Sequence, residues 1–580
     1  MKRKIPLYLL AILMLVLSAC SGTAVADSTA QMGSTASDVT ALATTSQAGD
    51  SAPVSADFDI DDFISTANGA ITSITLNGDS IATAGEGVNV NGSIVTITAV
   101  GVYEITGTLN NGQIVVETED KENVTLLLAG VNIYNENSAP IYVANAEKVI
   151  ITLAEGTQNN VSDGASYTNL DESGEPNAAI FSHDDLTING AGTLNVTASY
   201  NNGIASKDDL KITGGTITVT AVNDGIKGKD SVAVKDGLIT INAGADGIQT
   251  TNTDKTEKGF VAIEGGTLNI TSALDGIQAA TSLSISGGDL TIDANSGKGI
   301  NAGINLHITG GTFNIASADD SLHANANITI DDGVFQLASG DDGIRSEISL
   351  TINGGEVNVT RSLEGLESAL ITINDGYVHL ITSDDGINAT AEGSGEQADS
   401  SYVYINGGYI LVDANGDGLD SNGNAMMTGG VLIVQGPTMQ NNGSLDVNGE
   451  FEVNGGTLIV SGSSGMPGTP STSSTQNAIG IVLDAAQPGG TLVHIESLAG
   501  DEILTYESTK EFQLFVFSSP ALQMNTTYVV YVGGTSTGTI TNGVYSDGTY
   551  TPGTQIASLE VTSNITTSGN FESGKRGGRP

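Results

Sequence analysis

Asp224 Gly225 Ile226, Asp246 Gly247 Ile248, Asp275 Gly276 Ile277 and Asp342 Gly343 Ile344 are occurrences of one triplet that recurs through the middle of this chain. Variants stand at Asn202 Gly203 Ile204, Lys298 Gly299 Ile300, Asp320 Ser321 Leu322, Glu364 Gly365 Leu366, Asp385 Gly386 Ile387 and Asp417 Gly418 Leu419, and the usual step, as from residue 224 to residue 246, is 22 residues. A second series of tight turns keeps phase with it, at Gly214 Gly215, Asp236 Gly237, Gly265 Gly266 and onward, each followed by an alternating run such as Thr216 Ile217 Thr218 Val219. Alternation buries one side of a strand, and each bend calls for a residue that tolerates positive φ. Three short strands and three turns per repeat make one coil of a solenoid, stacked about 4.8 Å from the next. The reading predicts an all-β chain folded as a right-handed parallel β-helix, in which Ile204, Ile226, Ile248, Ile277 and Ile300, continued by Leu322 and Ile344, form one internal stack.

Both series lengthen together between Gly247 and Gly276 and between Gly386 and Gly418. The insertions, near 251–259 and 390–401, are therefore expected to leave one corner of the solenoid and project from the same side, where repeat proteins tend to place a binding surface.

Around this body the chain divides by composition. Lys2, Arg3 and Lys4, the apolar run from Leu7 to Leu17 and then Ser18 Ala19 Cys20 have the order of a lipoprotein signal peptide over 1–20, with Cys20, the sole cysteine, left to carry lipid. That predicts a secreted protein anchored to the outer face of the cell membrane, touching membrane only through the lipid. Residues 21–57, rich in Ser, Thr and Ala, read as a disordered tether. Residues 58–150 are expected to form the first coils and their cap, 151–460 the β-helical core, 461–476 a Gly/Pro/Ser linker, 477–560 a small C-terminal β cap, and 561–580 a disordered tail.

Sixty-six acidic residues against nineteen basic ones give a formal charge of −47, which excludes nucleic acid and anionic membrane surfaces as partners by repulsion. At the repeat step, Asp224 falls over Asp246 and Asp320 over Asp342, so like charges come close together. Asp319, Asp341, Asp384 and Asp385 add to them, and Ca2+, a hard cation that takes oxygen ligands, is the expected counterion for this set. Asp before Gly is also a plain turn former. Lys207 and Lys229 share a repeat position with Lys227 nearby, a basic spot that suits a sugar carboxylate or merely pairs with acids. With no Trp in the chain, Tyr402 and Tyr404, with Tyr377 and Tyr409, are the candidate sugar-stacking rings. Of the solenoid's two arginines, Arg345 and Arg361, Arg345 directly follows Asp341 Asp342 Gly343 Ile344 and is either the base a polysaccharide lyase would need or a neutraliser of the acidic stack; none of the five His forms a catalytic motif, and the many acids leave hydrolysis by a carboxylate pair open.

The ordered series Leu153 Ala154 Glu155 Gly156 Thr157 Gln158 Asn159, Ala178 Ala179 Ile180 Phe181 Ser182, Leu186 Thr187 Ile188 Asn189 Gly190 and Asn202 through Leu210, followed by the Asp-Gly-Ile coils and the stretch from Phe517 to Tyr528, resembles a family of clostridial and related bacterial carbohydrate-binding proteins. That family is similar in shape to polysaccharide lyases. The resemblance implies a β-helix holding calcium, binding to cellulose or acidic polysaccharide, and no catalysis. Asn202, Lys298 and Ser321 depart from the pattern and put calcium in doubt at their coils. The sequence thus points to a non-catalytic, calcium-assisted carbohydrate-binding surface lipoprotein, with a calcium-dependent uronate lyase and an adhesive surface protein as alternatives.

Overall fold

The computed structural model describes residues 53–571 except 65–69, 169, 171–172, 392 and 394–396. The signal peptide with Cys20, the tether as far as residue 52, and residues 572–580 lie outside the described residues. The described residues are short strands joined by tight turns, with one 3-10 turn as the only helical element among them, and each coil supplies one short strand to each of three parallel ladders.

The first ladder carries the triplets. It runs from Ile94–Ile97 through Asn202–Ser206, Ile226–Gly228 and Ile248–Thr250 to Leu445–Val447. Register pairs Ile204 with Ile226, Ile226 with Ile248, Ile248 with Ile277, and so on to Leu322 and Ile344. Every member of that stack is fully buried, as the repeat step demanded. The second ladder runs from Lys148–Leu153 through Asp209–Ile212 and Ser231–Val234 to Phe451–Val453, and the third from Gln158–Asp163 through Thr216–Ala221 and Leu238–Ala243 to Thr457–Gly462. The two join in one sheet because the long strand Val124–Asn135 pairs with the start of both. Inward Ile, Leu and Val from all three ladders form one continuous core.

Two glycines show two different requirements. Gly215 in the turn before Thr216–Ala221 has φ 98°, where an L side chain is strained. Gly225 of the triplet needs space instead: a Cβ there would lie 2.3 Å from the Ile241 side chain and 2.7 Å from the Gly247 carbonyl of the next coil. The triplet glycine is thus set by close approach of backbones rather than by positive φ.

The N-terminal end is closed by hairpins, Ile71–Gly78 against Ile81–Ala84 and Val88–Asn91 against Ile94–Ile97. Residues 58–64 do not belong to the first coils as expected. They form a strap on the flank of the second ladder, built on a single 3-10 turn, Ile60–Phe63, capped by Asp59. Its Asp62 is fully buried, 2.5 Å from Lys148 Nζ, and accepts from the Thr187 hydroxyl at 2.6 Å. The last tether residues are held too, since Lys211 Nζ donates to the Asp57 carbonyl at 2.6 Å.

At the other end, Phe512–Ser518 pairs antiparallel with both Thr457–Gly462 and Ala478–Gln487, so the C-terminal unit continues the third ladder. A separate six-stranded sheet includes Leu492–Ser497, Glu502–Glu507 and Thr527–Ser536. The unit packs Tyr506, Phe515 and Phe517 against Leu411, Ile433 and Ile459, outward residues of the last third-ladder strands.

The expected linker at 461–476 is not one. Ser463 N–H donates to the Pro437 carbonyl, Ser471 N–H to Phe451 and Gln476 N–H to Val453, and Ser461, Ser463 and Ser474 are buried. Small residues without apolar mass let this segment lie flat along the open edge of the last coil, where its backbone groups satisfy the unpaired ones. The tail expectation also fails over its first part, because Ile565–Ser568 pairs in parallel with Ala478–Gln487.

Candidate functional site

The acidic ladder lies on the outer side of the first ladder, at the residue two before each inward Ile or Leu. There the carboxylate accepts the backbone N–H of the same position one coil on. Asp246 N–H donates to Asp224 Oδ1 at 3.3 Å, Asp275 N–H to Asp246 Oδ1 at 3.0 Å, and Asp342 N–H to Asp320 Oδ1 at 3.1 Å. Asn202 does the same for Asp224 N–H through its amide oxygen. At these coils the ladder is a set of backbone caps, which explains why an acceptor side chain recurs there whether or not it is charged; Lys298, which has no acceptor, interrupts the set, and Asp320 N–H turns to Asp319 Oδ1 instead.

The second carboxylate oxygen faces the residue three places further along. Lys227 Nζ lies 2.7 Å from Asp224 Oδ2, Gln249 donates to Asp246, His323 Nδ1 lies 2.9 Å from Asp320 Oδ2, and Arg345 lies 3.2 Å from Asp342 Oδ2. At two coils that residue is itself acidic: Glu367 follows Glu364, and Asp420 follows Asp417.

Four groups of carboxylates bring ligand atoms within 4.8 Å of one another: Asp185, Asp208 and Asp209; Asp319, Asp320 and Asp341; Asp342, Glu364 and Glu367; Asp385, Asp417 and Asp420. The first three hold a cationic side chain each, Lys258 at 3.8 Å from Asp208, Lys298 at 3.1 Å from Asp319, and Arg345 at Asp342. Burial and then the neighbouring Glu367 push Asp342 up to about 8, and burial with Asp342 pushes Glu364 up to about 8. Burial and then Asp385 push Asp417 up to about 7. Asp320 goes the other way: burial opposes its charge, but His323 and Lys298 outweigh it and hold the carboxyl below the ordinary range.

Of the residues expected to ligate metal, Asp319, Asp320, Asp341, Asp342 and Asp385 fall in these groups, whereas Asp224, Asp246 and Asp384 fall in none among the described residues. Asp224 is spent on Lys227 and the Asp246 amide. Asp246, pushed up to about 6 mainly by burial, caps Asp275 and accepts from Gln249. Asp185, Asp208, Asp209, Glu364, Glu367, Asp417 and Asp420 were not among the expected ligands; for Glu367 and Asp420 the signal was an acid three residues after another acid.

The basic spot is mostly occupied. Lys207 pairs with Glu175 and Lys227 with Asp224 and Gln249, while Lys229 is exposed. Tyr402 and Tyr404 stack at 4.1 Å with planes 7° apart on the outward side of the second ladder. Tyr377 and Tyr409 stack at 5.9 Å on the third ladder, where Tyr409 packs against the C-terminal unit. Arg345 lies among Asp342, Glu347 and Glu367. Burial works against its charge, yet those acids outweigh it and raise the guanidinium further, so it is poorly placed to accept a proton.

Fold and site together define an all-β protein of stacked parallel coils whose outer side carries a ladder of carboxylates and a pair of half-buried stacked rings. The family model for carbohydrate-binding domain-containing proteins matches residues 91–343 and 341–485, more than half of the chain, and the chain belongs to that family. A carbohydrate-binding domain-containing protein of Acetivibrio thermocellus is 47% identical over 147 residues, which are 25% of this chain and 50% of that protein. The chain thus spans about half the length of the curated relative it matches. The polysaccharide lyase-like protein from C. thermocellum, solved as a gadolinium derivative, is 42% identical, with 43% of this chain and 97% of that one covered and a TM-score of 0.39.

Proposed function

We propose that the protein is a non-catalytic, carbohydrate-binding surface lipoprotein that holds cellulose or an acidic, uronate-type polysaccharide, with Ca2+ at its acidic coils. The observation that carries this reading is the family match, which extends over most of the stack of coils from residue 91 to residue 485. The coils wind right-handed, as connections between parallel strands of one sheet almost always do. Cys20 carries the lipid that keeps the protein at the outer face of the cell membrane, reached through the segment up to residue 57.

Among the acidic groups, Asp385, Asp417 and Asp420 fit calcium best. Their oxygens converge, and with Asp384 and Asp446 close to Asp417 the local field is strongly negative. A bound Ca2+ supplies positive charge that lets these carboxyls ionise together and gives an acidic glycan a bridge to an acidic protein. Tyr402 and Tyr404 offer ring faces to sugar, and Lys207 and Lys229 are the exposed members of the basic set.

The test is retention of the chain lacking residues 1–52 on insoluble cellulose and on polygalacturonate, with calcium and with EDTA, while ultraviolet absorbance is followed for unsaturated product. Retention without product supports the reading. Product would replace it with a lyase, and no retention on any glycan would leave the adhesive role.

A further inference from the structure

The turn between the second and third ladders and the outward side of the third ladder use the same small polar residues in different ways. In the turn that follows each second-ladder strand one column is bonded to itself: Asn353 donates to Asp331 at 2.7 Å, Asn374 to Asn353 at 2.7 Å, Asn406 to Asn374 at 2.9 Å, and Thr428 to Asn406 at 2.9 Å. On the third ladder the middle outward column reads Asn195, Thr218, Thr240, Asn269, Thr291 and Asn314, one residue per coil and each in register with the next. Apart from Asn195, which donates to Asn160 at 3.0 Å, these side chains make no hydrogen bond to protein among the described residues. Their donors and acceptors point outward with nothing of the protein's own to take them.

Charge and burial mark the same column. In a chain of formal charge −47, the strands Thr193–Ala198, Thr216–Ala221, Leu238–Ala243 and Thr267–Ser272 contain no charged residue, and only at the next strand, Asp289–Ala294, do Asp289 and Asp293 flank the column at Thr291. Further along, the column changes character where it becomes covered: His379 is followed in register by Leu411, Ile433 and Ile459, and these three lie under the C-terminal unit. Apolar residues stand where this face meets protein, and hydrogen-bonding ones where it does not.

We propose that this strip, free of charge over its first four coils, is a docking surface for an extended neutral polysaccharide laid along the stack of coils. The six residues span about 24 Å at about 4.8 Å per coil, enough for several sugar units. Sugar hydroxyls both donate and accept, which suits alternating Thr hydroxyls and Asn amides, and a neutral chain escapes the repulsion that a polyuronate meets from this protein. The Thr side chains are stiff about χ1, so little freedom is lost when a ligand orders them. Toward the far end, Tyr377, stacked on Tyr409 beside the C-terminal unit, supplies a ring. The proposal rests on the carbohydrate-binding reading and adds a face and a ligand class to it.

The experiment compares the full chain with the triple variant T218V/T240V/T291V, which keeps β-branched side chains and removes three hydroxyls, and with Y402A/Y404A on the neighbouring ladder. Binding is measured on microcrystalline cellulose and on polygalacturonate, with thermal unfolding as a check on folding. The expected result is a loss of at least about tenfold in cellulose affinity for the triple variant, as three neutral hydrogen bonds imply, with polygalacturonate retention and melting temperature unchanged. A second variant, T240K, should lower cellulose binding by the same route. Wild-type affinity for cellulose in both variants, with loss only in Y402A/Y404A, would overturn the strip while leaving carbohydrate binding intact. Failure of the unsubstituted chain to bind any glycan would overturn both.

Discussion

The backbone N–H of Asp246 donates to the carboxylate of Asp224, one coil away, at 3.3 Å. Both residues are almost wholly buried, so the acceptor satisfies a donor that water cannot reach. Asp224→Ala is expected to destabilise the chain by about 1–3 kcal/mol, since it leaves that amide without its acceptor and the Lys227 ammonium with Gln249 alone. Asp224→Asn should recover most of the loss, because Asn202 already performs the same capping one coil earlier. Urea unfolding of the two variants measures the difference. Equal loss in both would show that charge, not capping, is what the position requires.

Asp62→Ala should be among the most damaging changes outside the core. Burial opposes the charge of Asp62, but Lys148 and Thr187 outweigh it and hold its carboxyl below the ordinary range. Removing it leaves Lys148, which is itself buried, with the more exposed Asp59 alone. A cost of about 3–5 kcal/mol is expected for breaking such a pair. Amide exchange should localise the loss to the strands around Lys148 and Thr187.

In chelator, stability should fall as pH rises from about 4 to about 8. Asp342 and Glu364, each pushed up to about 8, and Asp417, pushed up to about 7, bind protons in the folded chain that the unfolded chain has already released. The folded state binds more protons across that window, so raising pH works against it. Melting temperature measured against pH in EDTA checks the sign, and a rise over the same window would contradict these assignments.

Calcium should reverse that trend at the Asp417 coil. With the ion at about 100 times its dissociation constant, a gain of about 2.7 kcal/mol is expected. The double variant D417N/D420N should abolish that gain while raising calcium-free stability near pH 8, because it removes charges that repel each other in the folded state. Calorimetry with and without calcium distinguishes it from D224N, which should retain the calcium response.

The ladder registers were legible because Ile226 and Ile248 must both face inward, and only one step aligns them. The chemistry of the outer side was less so. Repeat spacing stacked Asp224 on Asp246 but gave no sign that a carboxylate would spend one oxygen on the next coil's amide. It also left hidden that Lys227, Gln249, His323 and Arg345 are the partners of the other oxygen, although the three-residue offset is visible once known. Residues 461–476 were misread because Gly, Pro and Ser have the same composition in a flexible linker as in a segment held by backbone bonds alone. The strap at Asp62 was missed for the opposite reason, since its anchors Lys148, Thr187 and Lys211 are far away in the chain.

Were the chain held by its N-terminal segment, as proposed, the strap would set how the molecule bears load. A chain entering at residue 53 meets the stack on its flank, beside Lys148 and Lys211, and not at the hairpins that close its N-terminal end. Tension arriving from that side is taken first by the Asp59, Asp62 and Asp57 contacts acting together across several coils. The terminal hairpins, which would peel apart one hydrogen bond at a time if pulled from their tip, are shielded from that force.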